Sequence, residues 1–142
     1  MIDPSTFRTM AAEIGAEVPA EGAERLLAYL DAMLEENRNV NLTAVRDPEA
    51  AVVFHALDSV AIACVEFDRP PREVLDLGTG NGFPGVAVAC LLPDAHVLLM
   101  DRTLKKLKAI ERALGRAGFE AGRFDTVQMD AAEAPGRGYR GK

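Results

Sequence analysis

The sequence predicts an α/β fold in which a doubly wound parallel sheet follows a helical N-terminal portion. Three short runs rich in apolar residues, 73–77, 96–100 and 125–129, have the composition of buried strands. Stretches of helical periodicity lie between them, and strands that alternate with helices pair in parallel through right-handed crossovers. A glycine-rich segment follows the first run directly. The 142 residues are enough for one domain with a buried core.

Residues 1–68 are predicted to form the helical portion, which packs on the core. Ser5 is placed to cap a short first helix. A second helix is expected over residues 20–38, where leucines recur at helical spacing. Asp47 and Pro48 are typical of the cap and the first position of a third helix. The periodicity of this helix is expected to turn five apolar residues inward: Val52, Val53, Leu57, Val60 and Ile62.

Residues 69–142 are predicted to form the core that contains the sheet. The Arg-Pro-Pro-Arg run at 69–72 separates two sequence patterns and marks the boundary. The second predicted strand ends on Asp101. Thr103 is placed to cap the following amphipathic helix. The inward face of that helix is expected to carry Leu104, Leu107, Ile110 and Leu114.

Composition and cysteine usage favour the cytoplasm. The N-terminus lacks the basic stretch and apolar run of a signal peptide, and no apolar run approaches the ~18 residues of a membrane span. Cys64 and Cys90 lie far apart in apolar surroundings, which is typical of buried thiols in a reducing compartment. No His/Cys/acid cluster predicts a metal site. We therefore expect a cytoplasmic protein with no metal and no membrane partner.

The net charge of −6 is distributed unevenly along the chain. Ten of the 16 Lys and Arg residues follow Asp101, but only five of the 22 acidic residues do. Four of these bases recur at helical spacing and form a basic stripe: Lys105, Lys108, Arg112 and Arg116. The stripe could meet the phosphates of an anionic partner such as RNA. A solvated outer helix face explains the same pattern more readily.

The segment 76–85 carries the pattern D-x-G-x-G-x-G and is expected to bind a nucleotide cofactor. Glycines here let the chain turn sharply out of the strand and bring backbone N–H groups close to a ligand. A carboxylate at the end of the second strand can accept hydrogen bonds from both hydroxyls of a ribose. The residues predicted to form this site are Asp76, Gly78, Thr79, Gly80 and Asp101.

Glycine-rich turns of this kind serve several nucleotide cofactors. Gly80, Gly82 and Gly85 fit the G-x-G-x-x-G pattern of NAD enzymes. Counted from Gly78, which follows the strand directly, the third glycine position is Phe83, too bulky for close helix–strand packing. A P-loop is excluded because no Lys-Ser/Thr follows the glycines. With the acid two residues before Gly78, the pattern D-x-G-x-G-x-G resembles motif I of class I methyltransferases, which have a Rossmann-like fold. That resemblance implies S-adenosyl-L-methionine as cofactor, with the acid near its ammonium group.

The resemblance extends to one family. In order and spacing the chain is similar to the RsmG (GidB) family of ribosomal RNA methyltransferases over six short motifs: Asn41-Leu42-Thr43, Arg46-Asp47-Pro48, His55-Ala56-Leu57-Asp58-Ser59, Gly78-Thr79-Gly80, Phe83-Pro84-Gly85 and Asp101-x-x-x-Lys105-Lys106. The resemblance implies methyl transfer to N7 of a guanine in 16S ribosomal RNA, with the RNA or the small ribosomal subunit as partner. Guanine N7 loses no proton on methylation, so no catalytic acid or base is predicted.

Individual positions carry over from the family. Gly78 and Phe83 match positions that contact the cofactor. Ala131 and Ala132 match the segment whose backbone lines the adenine. Family members usually carry an arginine just before that segment, where this chain has Asp130. An aspartate there suits adenine N6 in many other methyltransferases, so cofactor binding is expected to survive with altered detail.

The family normally continues for several more strands, so the chain is expected to be truncated at its C-terminus. In the doubly wound order a fourth strand pairs beside the first. We therefore expect an exposed edge at residues 73–77, which invites self-association. Two alternative functions follow: a cofactor-binding module of the same family with impaired catalysis and, with less support, a NAD-dependent enzyme.

Overall fold

The computed structural model describes residues 2–139 and confirms the predicted α/β class. Three parallel strands form one sheet in the order β1-β2-β3. The strands are β1 (Glu73–Leu77), β2 (His96–Asp101) and β3 (Phe124–Gln128). The α-helices of the described residues are α1 (Pro4–Glu13), α2 (Ala20–Glu36), α3 (Pro48–Ala51), α4 (Asp58–Val60), α5 (Gly85–Leu91) and α6 (Leu104–Arg116). A π-helix spans Val52–Leu57, and 3-10 helices span Ala61–Cys64 and Ala131–Arg137.

The first two helices lie close to their predicted positions. Asp3, rather than Ser5, caps α1: its Oδ1 accepts a hydrogen bond from the Thr6 amide at 2.8 Å, and Pro4 occupies the first position. The predicted cap was therefore two residues late, because a proline at the first position follows its cap directly. The second predicted helix is confirmed as α2. Its fully buried residues include Leu26, Tyr29, Leu30 and Met33.

The third predicted helix consists of segments with different pitch. Asp47 caps α3 as predicted, but the π-helix Val52–Leu57 separates α3 from α4. A π-helix bonds residue i to residue i+5, so side chains expected on one face rotate around the axis. Val60 is buried, whereas Val53 and Ile62 are 44% and 37% exposed. The inward face predicted from α-helical spacing was wrong at these two positions.

The sheet is covered by helices on one face and has β1 at its edge. In its register Asp76 lies opposite Leu99, and Leu99 lies opposite Thr126. Both crossovers run in the same direction across the sheet, so right-handed connections place α5 and α6 on one face. There α2 packs against both helices. Among the described strands β1 pairs with β2 alone, so the predicted edge is present.

Helix α6 is amphipathic as predicted, with two corrections. Leu104 is 47% exposed rather than inward, since it begins the first turn, and Thr103 makes no side-chain capping bond. Two residues of the basic stripe contact another helix: Arg112 and Arg116 donate to the Glu36 carboxylate of α2 at 3.0 Å. Lys108 pairs with Glu111 of α6 itself at 3.6 Å. The stripe thus fastens α6 to α2 at one end and is solvated at the other.

One hydrophobic core joins the two predicted portions. It includes Phe7 and Tyr29 from before residue 68 and Phe83 and Ile110 from after it. Gly22 of α2 lies so close to α5 that a Cβ there would overlap the Cys90 carbonyl. The described residues before and after position 68 share this interior, and the division into portions 1–68 and 69–142 stays a prediction from sequence pattern.

Candidate cofactor site

The glycine-rich loop, residues 78–84, connects β1 to α5 at the carboxyl end of the strands. Gly78, Gly80 and Gly82 have φ angles of +67°, +59° and +92°. Side chains with a Cβ are strained in this left-handed region. A Cβ on Gly78 would meet no atom within 4 Å, so the backbone at this end of the loop is open to a ligand.

Asp76 holds the loop together at the end of β1. Its Oδ2 accepts hydrogen bonds from the Thr79 hydroxyl at 2.7 Å and from the Gly85 amide at 2.9 Å. Burial raises the pKa of Asp76, and these two hydrogen bonds oppose that rise because they stabilise the carboxylate. This carboxylate oxygen thus joins the two ends of the loop, and a contact of Asp76 with the cofactor ammonium stays a prediction.

Asp101 lies at the mouth of the loop, at the end of the neighbouring strand. Its Oδ2 accepts the Gly80 amide at 2.9 Å, and its Oδ1 accepts the Thr103 amide at 2.9 Å. The Thr79 amide donates to the Met100 carbonyl at 2.9 Å and ties the loop to β2. Each carboxylate oxygen has a further acceptor position, so Asp101 can also accept the two hydroxyls of a ribose.

A cavity of about 310 Å³ opens beside this carboxylate. Its volume is within the ~300–1,000 Å³ typical of ligand pockets. The lining residues are Gly78, Asp101, Arg102, Thr103, Lys106, Met129, Asp130 and Ala131. An open glycine backbone and an acid at the end of the neighbouring strand are features of nucleotide sites in doubly wound folds, and the segment after β3 completes the lining here. The residues present therefore fit the adenosine part of S-adenosyl-L-methionine.

The segment after β3 is only partly placed in the cavity. Ala131 lines it, whereas Ala132 is exposed and its amide donates to Asp130 Oδ1 at 2.9 Å. Asp130 thus caps the 3-10 helix Ala131–Arg137. Asp130 therefore has a structural role in this chain, and its contact with adenine stays a prediction.

Phe83 does not line the cavity beside Gly78 and Asp101 but a different one. Together with His55 and Asn81 it lines a second cavity of about 400 Å³ beside the π-helix. The Phe83 ring is 9% exposed, stacks on His55 at 5.7 Å between centroids and meets Tyr29 edge-on at 5.6 Å. The structure thus brings Gly78, Asp101 and Ala131 together, and it places Phe83 at the other end of the same loop.

Tyr29 is a site residue that the sequence did not reveal. It is fully buried in α2, and its hydroxyl donates to the Asn81 carbonyl of the loop at 2.6 Å. Burial raises the pKa of Tyr29 far above its ordinary value. A pair separated by 52 positions leaves no periodic signal in the sequence, so only packing reveals this support.

Two further searches of residues 2–139 bear on partners. No group of three or more His, Cys, Asp or Glu side chains is arranged to hold a metal ion. Over the same residues, no helix combines the length and apolar character that a membrane span needs.

The fold is α/β and matches the first half of a Rossmann-like class I methyltransferase core. A family model described as GidB, rRNA small subunit methyltransferase G, matches residues 22–131. The chain therefore belongs to the GidB family, and the resemblance inferred from its short motifs is confirmed.

Curated relatives agree with this family. The chain is 45% identical over 109 residues to the ribosomal RNA small subunit methyltransferase G of Chromohalobacter salexigens, covering 77% of this chain and 51% of that protein. For the proteins of the same name from Symbiobacterium thermophilum and Methylobacillus flagellatus, identity is 39% and 36%, covering 78% and 84% of this chain. These matches cover 46% and 59% of the two relatives. The chain thus spans about half the length of the curated relatives it matches.

Proposed function

We propose that this chain binds S-adenosyl-L-methionine and serves methyl transfer to N7 of a guanine in 16S ribosomal RNA. The observation that carries the proposal is the position of the Asp101 carboxylate at the mouth of the glycine-rich loop. It lies on the same cavity as Gly78 and Ala131. Family membership supports the methyl acceptor class, since the relatives are named for the small-subunit ribosomal RNA. A ribosomal substrate would place the activity in the cytoplasm.

Within this proposal the protein acts by positioning. The cofactor supplies an electrophilic methyl group. Asp101 orients the ribose, and the open backbone at Gly78 lets the cofactor approach the loop. The N7 lone pair of guanine is free, so alignment rather than proton removal is what the transfer requires. We accordingly assign no general base to any residue of the chain.

Calorimetric titration with S-adenosylhomocysteine tests the binding half of the proposal. Asp101→Asn replaces one charged acceptor and is expected to weaken binding at least tenfold, about 1.4 kcal/mol. Asp94→Asn is the matched control, because Asp94 is exposed in the turn before β2. Equal affinities for both variants would overturn the ribose assignment. Binding of NAD in place of S-adenosylhomocysteine would overturn the cofactor assignment.

Transfer of a labelled methyl group to unmethylated small ribosomal subunits tests the catalytic half. Gly78→Leu is expected to abolish transfer, because a branched side chain would occupy the open backbone face and strain a φ of +67°. Binding of S-adenosylhomocysteine with no transfer by the unaltered chain would instead support the cofactor-binding module as its function.

We also propose that the chain self-associates through the β1 edge. A groove of about 440 Å³ runs along this edge. Its lining includes Ile62, Val65 and Phe67 together with Val74 and Leu75 of β1. Unpaired strand edges with apolar flanks pair readily with other chains. Sedimentation velocity should show a dimer that Leu75→Lys reverts to monomer; an unaltered chain that is monomeric at high concentration would contradict this.

A further inference from the structure

A chain of hydrogen bonds, here called the relay, runs from the C-cap of α2 through the π-helix to the glycine-rich loop. It begins at Asn37, whose Oδ1 accepts the amides of Leu42 and Thr43 at 2.9 and 3.0 Å. Thr43 is 9% exposed, and its Oγ1 lies 2.8 Å from Nε2 of His55 in the π-helix. Nδ1 of His55 lies 3.4 Å from the side-chain nitrogen of Asn81 in the loop. The relay thus spans the interface between the helical portion and the loop.

The partners determine which imidazole nitrogen carries the proton. The Phe83 amide donates to Asn81 Oδ1 at 3.0 Å, so Asn81 presents its NH₂ group to His55. Nδ1 of His55 must therefore accept, and a neutral ring then carries its proton on Nε2. That proton is donated to Thr43 Oγ1, whose second acceptor position is filled by the Val45 amide at 3.1 Å. Both ring nitrogens of His55 and both polar atoms of the Asn81 side-chain amide then have a partner in one arrangement.

The His55 ring also supports the loop by packing. It stacks on Phe83 with an angle of 19° between the rings. The Tyr29 ring packs edge-on against Phe83, and its hydroxyl donates a hydrogen bond to the Asn81 carbonyl. The loop residues Asn81 and Phe83 are thus held by side chains from two elements that precede the sheet.

We propose that His55, as a neutral Nε2–H imidazole, is a positioning residue that holds Asn81 and Phe83 in the loop arrangement required for cofactor binding. The role in binding rests on the proposed function. The Nε2–H form and the support of the loop rest on the relay alone. His55 touches neither Gly78 nor Asp101, so it acts through Asn81 and Phe83.

The tautomer is directly measurable, because the chain contains two histidines, His55 and His96. Long-range ¹H–¹⁵N correlation spectra of the full ¹⁵N-labelled chain should show one imidazole protonated on Nε2, and His96→Gln assigns the other signal. His96 is a separate case, partly exposed and paired with Asp125 at 2.8 Å. An imidazole of His55 protonated on Nδ1 would overturn the proposal.

Substitution of Thr43 tests the coupling to the loop. Thr43→Val removes the acceptor for His55 and is expected to speed hydrogen exchange of the Phe83 amide about tenfold. It should also weaken S-adenosylhomocysteine binding about tenfold, the worth of one hydrogen bond. Thr43→Ser retains the hydroxyl and should restore both values to within about twofold. Glu36→Gln, which loosens the contact of α2 with α6, controls for general destabilisation and should change neither readout.

The outcomes separate this inference from the proposed function. Failure of the unaltered chain to bind S-adenosylhomocysteine overturns the proposed function and, with it, the binding role of His55. Unchanged Phe83 exchange in Thr43→Val, or equal effects of Thr43→Val and Thr43→Ser, overturns the positioning role while leaving the cofactor assignment in place.

Discussion

Replacement of Gly82 by alanine tests how the helical portion supports the glycine-rich loop. Gly82 is buried and has a φ of +92°. A Cβ there would overlap the Tyr29 hydroxyl, lie 2.9 Å from Tyr29 Cζ and lie 3.3 Å from Val86 Cγ2. The Tyr29 ring is fully buried and hydrogen-bonded, so it has no free space into which to withdraw. The substitution therefore combines backbone strain with overpacking.

The two costs can be estimated separately. A left-handed φ costs a residue with a Cβ about 1–2 kcal/mol, and inserting a carbon into a packed core costs about 1–3 kcal/mol. Gly82→Ala should therefore lower the free energy of unfolding by about 2–5 kcal/mol. With a urea slope of roughly 2 kcal/mol per molar, the unfolding midpoint should fall by about 1–2.5 M.

Gly122 is a matched control for the backbone term. Its φ is +91°, but a Cβ there would meet nothing within 4 Å. Gly122→Ala should thus show only the 1–2 kcal/mol of backbone strain. Urea unfolding followed by circular dichroism gives both values at unchanged slope. If Gly82→Ala is no more destabilising than Gly122→Ala, the packing of Tyr29 against the loop is not as described.

Three further predictions concern the same framework. Tyr29→Phe leaves the Asn81 carbonyl without its donor and should cost about 1–3 kcal/mol in urea unfolding; an unchanged midpoint would show that water replaces the hydroxyl. Burial lowers the pKa of His55 below its ordinary 6.5, against the opposing charge of Asp58. Stability should be full above about pH 6.5 and decline below it, because the unfolded chain then binds more protons; a His55→Gln variant with the same decline would contradict this. Glu36→Gln should cost about 1 kcal/mol at low salt and less in 1 M NaCl, since its arginine partners are half exposed; a cost that does not depend on salt would argue against the ion pairs.

The sequence predicted the sheet and the loop well because their signals are local. The strands at residues 73–77 and 96–101, and the cap and proline at the start of α3, were all read from neighbouring residues and are confirmed. The third strand was predicted one residue late. Asp101 was placed at the loop mouth from the parallel order of two strands, and the Gly80 amide at 2.9 Å agrees with that position.

The errors lie where tertiary packing overrides local pattern. Val53 and Ile62 were predicted to face inward on an unbroken α-helix, but Val53 lies in the π-helix Val52–Leu57 and Ile62 in the 3-10 helix Ala61–Cys64, and both are exposed. Extra residues in one helical turn leave no distinct mark in the composition, so the periodic pattern alone could not show them. Leu104 fails for a similar reason, since its place in the first turn of α6 depends on where the helix begins.

By itself the sequence determined the class of fold, the loop and the family, because the glycines, the strand-end acid and the short motifs can each be recognised within a few neighbouring residues. Only the tertiary structure decided what holds the loop in place. Tyr29 reaches Asn81 across 52 positions, and His55 reaches it across 26. Such contacts arise from the way helices and sheet meet in space, and no spacing along the chain encodes them.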